Sequence, residues 1–137
     1  MVYLATKNYD RLTPSNIEFN LPQPNYTINT LLYLKEKYPT NSFVLIMGED
    51  NLNHFHKWKN HEVILEDHNL YVYPRTHNLK QKNSFLSHPK VKKIEAPIIE
   101  ISSTFIRKSI AEKKDIRPML PYKVWEYIDL MNFYKTI

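Results

Sequence analysis

The sequence predicts an α/β fold with a mostly parallel sheet, and three observations carry that prediction. Short apolar or alternating segments recur along the chain, each separated from the next by a segment with helical spacing. The segment "SFVLIMG", residues 42 to 48, is a continuous apolar run, as expected of a strand covered on both faces. Prolines and the only glycine fall where these segments stop. At 137 residues the chain suits one domain, residues 1–137, with a real core.

Taken in order, "NIEFNLP", residues 16 to 22, alternates apolar and polar side chains up to Pro22 and is expected to be a short strand. "NYTINTLLYLKEKYP" places Ile28, Leu31, Leu32 and Tyr38 near helical spacing, with Asn25 or Thr27 as cap and Pro39 as the stop. After the "SFVLIMG" strand, "EDNLNHFHKW" is expected to be a polar, aromatic connection into a short helix, "KNHEVILED". "NLYVYPR", residues 69 to 75, is the next strand, residues 76 to 90 a surface loop, and "VKKIEAP" a weak strand. A helix over residues 103 to 113 follows. Beyond Pro118 and Pro121, a last helix can align Val124, Ile128 and Met131 on one face.

Composition narrows the function classes. Hydrophobic residues at 42% and charged residues at 24% indicate a folded chain. The absence of cysteine excludes disulfides and thiolate metal sites. No apolar run approaches the about 20 residues of a membrane span, and "MVYLATKNYDRL" lacks the features of a secretory signal, so a cytoplasmic protein without a membrane partner is expected. The net charge of +5 suits an anionic partner. The lysines are scattered, however, and nucleic acid is not expected. Average glycine usage of about 7% would give roughly nine or ten glycines. With Gly48 alone, the glycine-rich phosphate loops are absent, and a phosphate site would need side chains and helix N-termini.

Ligands of parallel α/β sheets bind beyond the carboxyl ends of the strands. That rule selects Gly48–Asp50, Pro74–Arg75 and Ile101–Arg107. Gly48 lets backbone approach a ligand closely, and Asp50 could accept hydrogen bonds from ribose; equally, Asp50 or Asn51 could cap the next helix. Arg75 could bind phosphate bidentately or be an ordinary loop arginine. Ser102, Ser103 and Thr104 open a helix with Arg107 one turn in, which suits either an over-supplied cap or an anion cradle. Trp58 offers a flat face to an aromatic ring or a core contact. His54, His56 and His61 have no further ligand at a recognisable spacing, so they are expected on the surface and no metal site is expected. No Ser-His-Asp order, HExxH or paired carboxylates support a hydrolase.

Together, "NYTINTL", "LIMGEDNLNHFHKWKN", "LYVYPR", "ISSTFIR" and "PMLPYKVWEYI" resemble the bacterial nicotinate-nucleotide adenylyltransferases of the nucleotidyltransferase superfamily, over residues 16 to 134. The resemblance implies a Rossmann-like fold and transfer of AMP from ATP to nicotinate mononucleotide, giving nicotinate adenine dinucleotide and pyrophosphate, with Mg2+ on the phosphates. It implies that Trp58 stacks on the nicotinate ring, that backbone N–H groups near Thr27 and Lys59 hold its carboxylate, and that Gly48, Asp50 and Arg75 contact nucleotide. Ser102, Ser103, Thr104 and Arg107 match the ATP-phosphate element, with Arg107 stabilising phosphate charge. Family members begin with a strand and an H-x-G-H turn. The sequence contains no H-x-G-H, so the expectation is an N-terminally truncated domain lacking roughly the family's first quarter. Little adenylyl transfer by this chain alone is then expected, along with instability or sheet completion by another chain, of the same or another kind. A non-catalytic nucleotide-binding or assembly domain is the alternative.

Overall fold

Three parallel strands and six α-helices make up the regular structure of the computed structural model, which describes residues 1–75 and 83–135. In chain order they are α1 (Val2–Thr6), α2 (Thr27–Lys37), β1 (Val44–Gly48), α3 (Glu49–Asn53), α4 (His61–Asp67), β2 (Asn69–Tyr73), β3 (Val91–Lys93), α5 (Ser103–Ala111) and α6 (Tyr122–Leu130). The chain divides into two compact units, Asn16–Glu100 and Met1–Ser15 with Ile101–Ile137.

The Asn16–Glu100 unit holds the sheet, in the order β1-β2-β3 and parallel throughout. Its register pairs Ile46 with Tyr71, and Tyr71 with Lys92. Alternation along the strands sends Met47, Leu70, Val72 and Val91 into a core shared with Ile28 and Leu31 of α2 and Ile64 and Leu65 of α4. Leu52 and Phe55 are fully buried in the same core. The polar connection expected after β1 is therefore a core element: α3 and a 3-10 turn at Phe55–Lys57 turn these two apolar side chains inward.

The other sheet face of this unit is less covered than the apolar run suggested. Ile46 is 68% exposed, and Val44 and Tyr71 are also exposed. Among the described residues β1 pairs only with β2, so it is an edge strand. The expected strand at residues 16 to 22 is also corrected, because Ile17–Asn20 form a 3-10 turn with Phe19 exposed. Alternation alone cannot make a strand; the backbone groups need a partner ladder. Helix α2 likewise starts after Tyr26 with no side-chain cap, neither Asn25 nor Thr27 serving, and Leu32 and Tyr38 are exposed while Ile28 and Leu31 are buried. Of the expected loop at 76 to 90, residues 76–82 lie outside the described residues; Ser84–Ser87 form a 3-10 turn.

In the second unit, Ile106 and Ile110 of α5 meet Val124 and Ile128 of α6 around Ile116. Leu4 and Ala5 of α1 pack on that cluster. Met131, expected on the buried face of α6, lies beyond its last turn and is exposed. Helix α5 stops at Ala111, short of the expected residue 113, where Lys113 takes a left-handed backbone conformation (φ 58°).

Candidate functional site

At position 48 the space a Cβ would take is occupied by the side chain two residues on. A Cβ there would stand 2.3 Å from Asp50 Oδ1, closer than any real Cβ contact. Asp50 folds back over the end of β1 because Arg75, just beyond β2, lies opposite: Nε is 3.8 Å from Oδ1. That separation is an ion pair and too long for a hydrogen bond. Arg75 Nε is shielded from solvent and, among the described residues, has no acceptor within hydrogen-bond distance, although the side chain as a whole is half exposed. The parallel register that sets Gly48 against Tyr73 brings these residues together at the carboxyl ends of neighbouring strands. Gly48 is the residue before α3, and Asp50 lies inside that helix, so the cap reading for Asp50 and Asn51 does not hold.

Beneath this pair is a residue that sequence reasoning did not single out. Glu49 is only 3% exposed. Its Oε1 accepts a hydrogen bond from Lys93 Nζ at 3.0 Å, and its Oε2 accepts from the backbone N–H of Arg75 at 3.3 Å. A charged residue between glycine and aspartate gave no periodic signal of burial.

A second cluster forms where α2 begins. Asn25, Tyr26, Thr27, Lys57, Trp58 and Lys59 line a cavity of about 280 Å³. Trp58 is half-buried and packs edge-on against Phe55, with ring centroids 5.5 Å apart, so one part of the indole belongs to the core and another faces the cavity. Lys59 Nζ sits over the Tyr26 ring at 4.4 Å. Helix α2 has no side-chain cap, so its N-terminus, whose dipole carries positive potential, lies at the cavity wall that Tyr26 and Thr27 form. The arrangement suits a flat ring bearing a carboxylate.

The hydroxyl cluster belongs to the other unit. Ser102 is the cap of α5: its Oγ accepts from the N–H of Phe105 at 3.1 Å. Arg107 donates to Thr104 Oγ1 at 3.2 Å. Ser103, Thr104 and Arg107 are all exposed. One hydroxyl thus satisfies the cap, leaving two hydroxyls and a guanidinium on the open first turn. His54 and His56 are exposed, whereas His61 is half-buried with its ring edge-on to Phe55 and Phe85. Among the described residues, no group of three or more His, Cys, Asp or Glu side chains could hold a metal ion.

No family profile matches the chain. It is similar to a probable nicotinate-nucleotide adenylyltransferase of Christiangramia forsetii, 64% identical over 98% of this chain and 70% of the relative. A relative of the same description from Cytophaga hutchinsonii is 47% identical over 99% of this chain and 70% of its own length. Among solved structures, the nicotinic acid mononucleotide adenylyltransferase of Plasmodium falciparum, complexed with APC, superposes with a TM-score of 0.65 at 26% identity. That match covers 80% of this chain and 58% of the Plasmodium chain; the same protein complexed with NaAD matches equally well. The small all-parallel sheet with its helices is thus part of the Rossmann-like nucleotidyltransferase fold. The chain belongs to the nicotinate-nucleotide adenylyltransferase family.

Proposed function

We propose that residues 1–137 act as one nucleotidyltransferase-like domain that binds nicotinate mononucleotide and ATP for adenylyl transfer, in the cytoplasm. The products of that reaction are nicotinate adenine dinucleotide and pyrophosphate. The single observation that carries this reading is the cavity at the uncapped start of α2, with Trp58, Thr27 and Lys59 on its wall. In this reading Trp58 stacks on the nicotinate ring, and the N–H groups of Thr27 and Lys59 hold its carboxylate. Gly48 leaves room for backbone and Asp50 to meet a nucleoside, and Arg75, held beside Asp50, meets phosphate. Ser102, Ser103, Thr104 and Arg107 receive the ATP phosphates. Mg2+ arrives with ATP: such an ion takes most of its ligands from phosphate oxygens and water, which needs no protein cage. The reaction places little covalent work on the protein, and its rate comes from alignment and charge stabilisation.

Calorimetry with nicotinate mononucleotide and nicotinamide mononucleotide tests this assignment. A carboxylate received by helix N–H groups predicts binding of the nicotinate form at least about tenfold tighter, a difference of about 1.4 kcal/mol. Equal affinities, or none for either, contradict it.

A second reading has its own observation. The 137 residues contain no H-x-G-H, the turn with which, by the resemblance, family members begin. Binding without turnover is the outcome expected of this polypeptide by itself, and pyrophosphate release from ATP and nicotinate mononucleotide in a preparation free of host enzyme would refute that. Among the described residues β1 pairs on one side only, which supports sheet completion by another chain.

A further inference from the structure

Glu49 joins all three strands where they end. It is the residue after β1, it accepts the N–H of Arg75 two residues past β2, and it accepts the ammonium of Lys93, the last residue of β3. A carboxylate with 4% of its side chain exposed is costly to bury unless a cation and hydrogen bonds compensate it. Lys93 supplies the charge and Arg75 the backbone bond, so the three residues hold one another. Pro74, itself buried, fixes the backbone just before Arg75. Among the described residues, the Arg75 guanidinium has only the longer ion pair with Asp50, at 3.8 Å.

We propose that Glu49 and Lys93 are positioning residues for Arg75: the buried Glu49 carboxylate, neutralised by Lys93, anchors the Arg75 backbone so that its guanidinium stays beside Asp50 at the nucleotide end of the sheet. Neither residue touches the nucleotide. The proposal rests on the reading of Arg75 as a nucleotide contact, and the test separates the two.

The Nε–H exchange rate of Arg75, measured by NMR on the ligand-free 137-residue chain, is the first readout. Lys93→Met removes the ammonium and keeps the stem, and should speed that exchange by about fivefold; Lys93→Arg should restore it to within about twofold. Wild-type exchange in Lys93→Met overturns the proposal. Nicotinate adenine dinucleotide, titrated calorimetrically, is the second. Arg75→Ala should weaken binding about tenfold, and Lys93→Met about three- to fivefold. In the Arg75→Ala background, Lys93→Met should cost less than about twofold, because residues acting through one another are not additive. Glu49→Gln should behave as Lys93→Met does, with the melting temperature measured alongside to register any loss of fold. If Arg75→Ala binds like wild type, the nucleotide reading of Arg75 falls, and positioning for it falls too. If Arg75→Ala weakens binding and Lys93→Met weakens it equally in both backgrounds, Arg75 keeps its role and positioning through it is overturned.

Discussion

Two carboxylates, one in each unit, have nearly the same partners and very different surroundings. Glu49 accepts from a lysine and from the backbone N–H of Arg75; Asp115 accepts from the guanidinium of Arg117 at 2.9 and 2.6 Å and from its backbone N–H at 3.1 Å. By bond length Asp115 is the better bound. Yet Asp115 and Arg117 are each more than half exposed, whereas Glu49 is buried. Water competes for the first pair and not for the Glu49 carboxylate, so burial decides which pair the fold depends on. The same contrast runs through the apolar side chains: the largest fully buried ones, Phe55, Leu52, Ile64, Leu70 and Val72, all lie in the sheet unit.

The largest difference between the buried and the exposed positions is expected in the sheet core itself. Leu70→Ala should destabilise the chain by about 2–5 kcal/mol in urea unfolding, whereas Ile46→Thr on the open face should stay within about 0.5 kcal/mol. Comparable losses would mean that both faces are covered in solution. Next in size, Glu49→Ala leaves the Lys93 ammonium and the Arg75 N–H without their acceptor. With Lys93 partly in water, the expected cost is about 2–3 kcal/mol, and Asp115→Ala should shift the unfolding midpoint far less.

Gly48→Ala is milder. The added Cβ evicts the Asp50 carboxylate from its place beside Arg75, and Asp50 is exposed enough to swing away. Nucleotide binding should weaken by about threefold with stability reduced by less than about 1 kcal/mol. A loss of folding instead would show that β1 cannot yield at this point. The smallest effect belongs to Asp115, whose carboxyl pKa is lowered from 3.8 to about 2 by the Arg117 side-chain hydrogen bond first, with the backbone bond and charge attraction adding to it. A carboxylate with a depressed folded pKa contributes its stability above its unfolded value and loses it as pH falls through about 2. NMR titration should find that midpoint; one near 3.8 would show that the pair does not persist in water.

Legibility followed the range of the interactions. The start of α5 at the hydroxyl cluster and the strands at 44–48 and 69–73 were readable because their signals are local: hydroxyls before a helix, apolar runs ending in glycine or proline. Trp58 was singled out from the residues as a ring contact or a core contact, its nicotinate role and those of Thr27 and Lys59 came through the resemblance, and all three line one cavity. Residues 17–20 misled because alternation there had no ladder to join. The run at 44–48 misled differently: its apolar character says that it suits burial on two faces, not which neighbours are present. Glu49 was invisible because its cation lies 44 residues away and only the β1-β2-β3 register joins them. The capping of α5 by Ser102 also reframes the hydroxyl cluster, whose surplus consists of Ser103 and Thr104 beside Arg107.

The two tryptophans make the most direct test available. Trp58 lines the cavity at the start of α2, and Trp125 lies in α6 of the other unit. Titrating nicotinate mononucleotide while following both indole N–H signals by NMR should shift Trp58 in a saturable way, together with the amides of Thr27 and Lys59, and leave Trp125 in place. Shifts absent from Trp58, or equal at both tryptophans, would contradict the assignment of this cavity to the nicotinate ring.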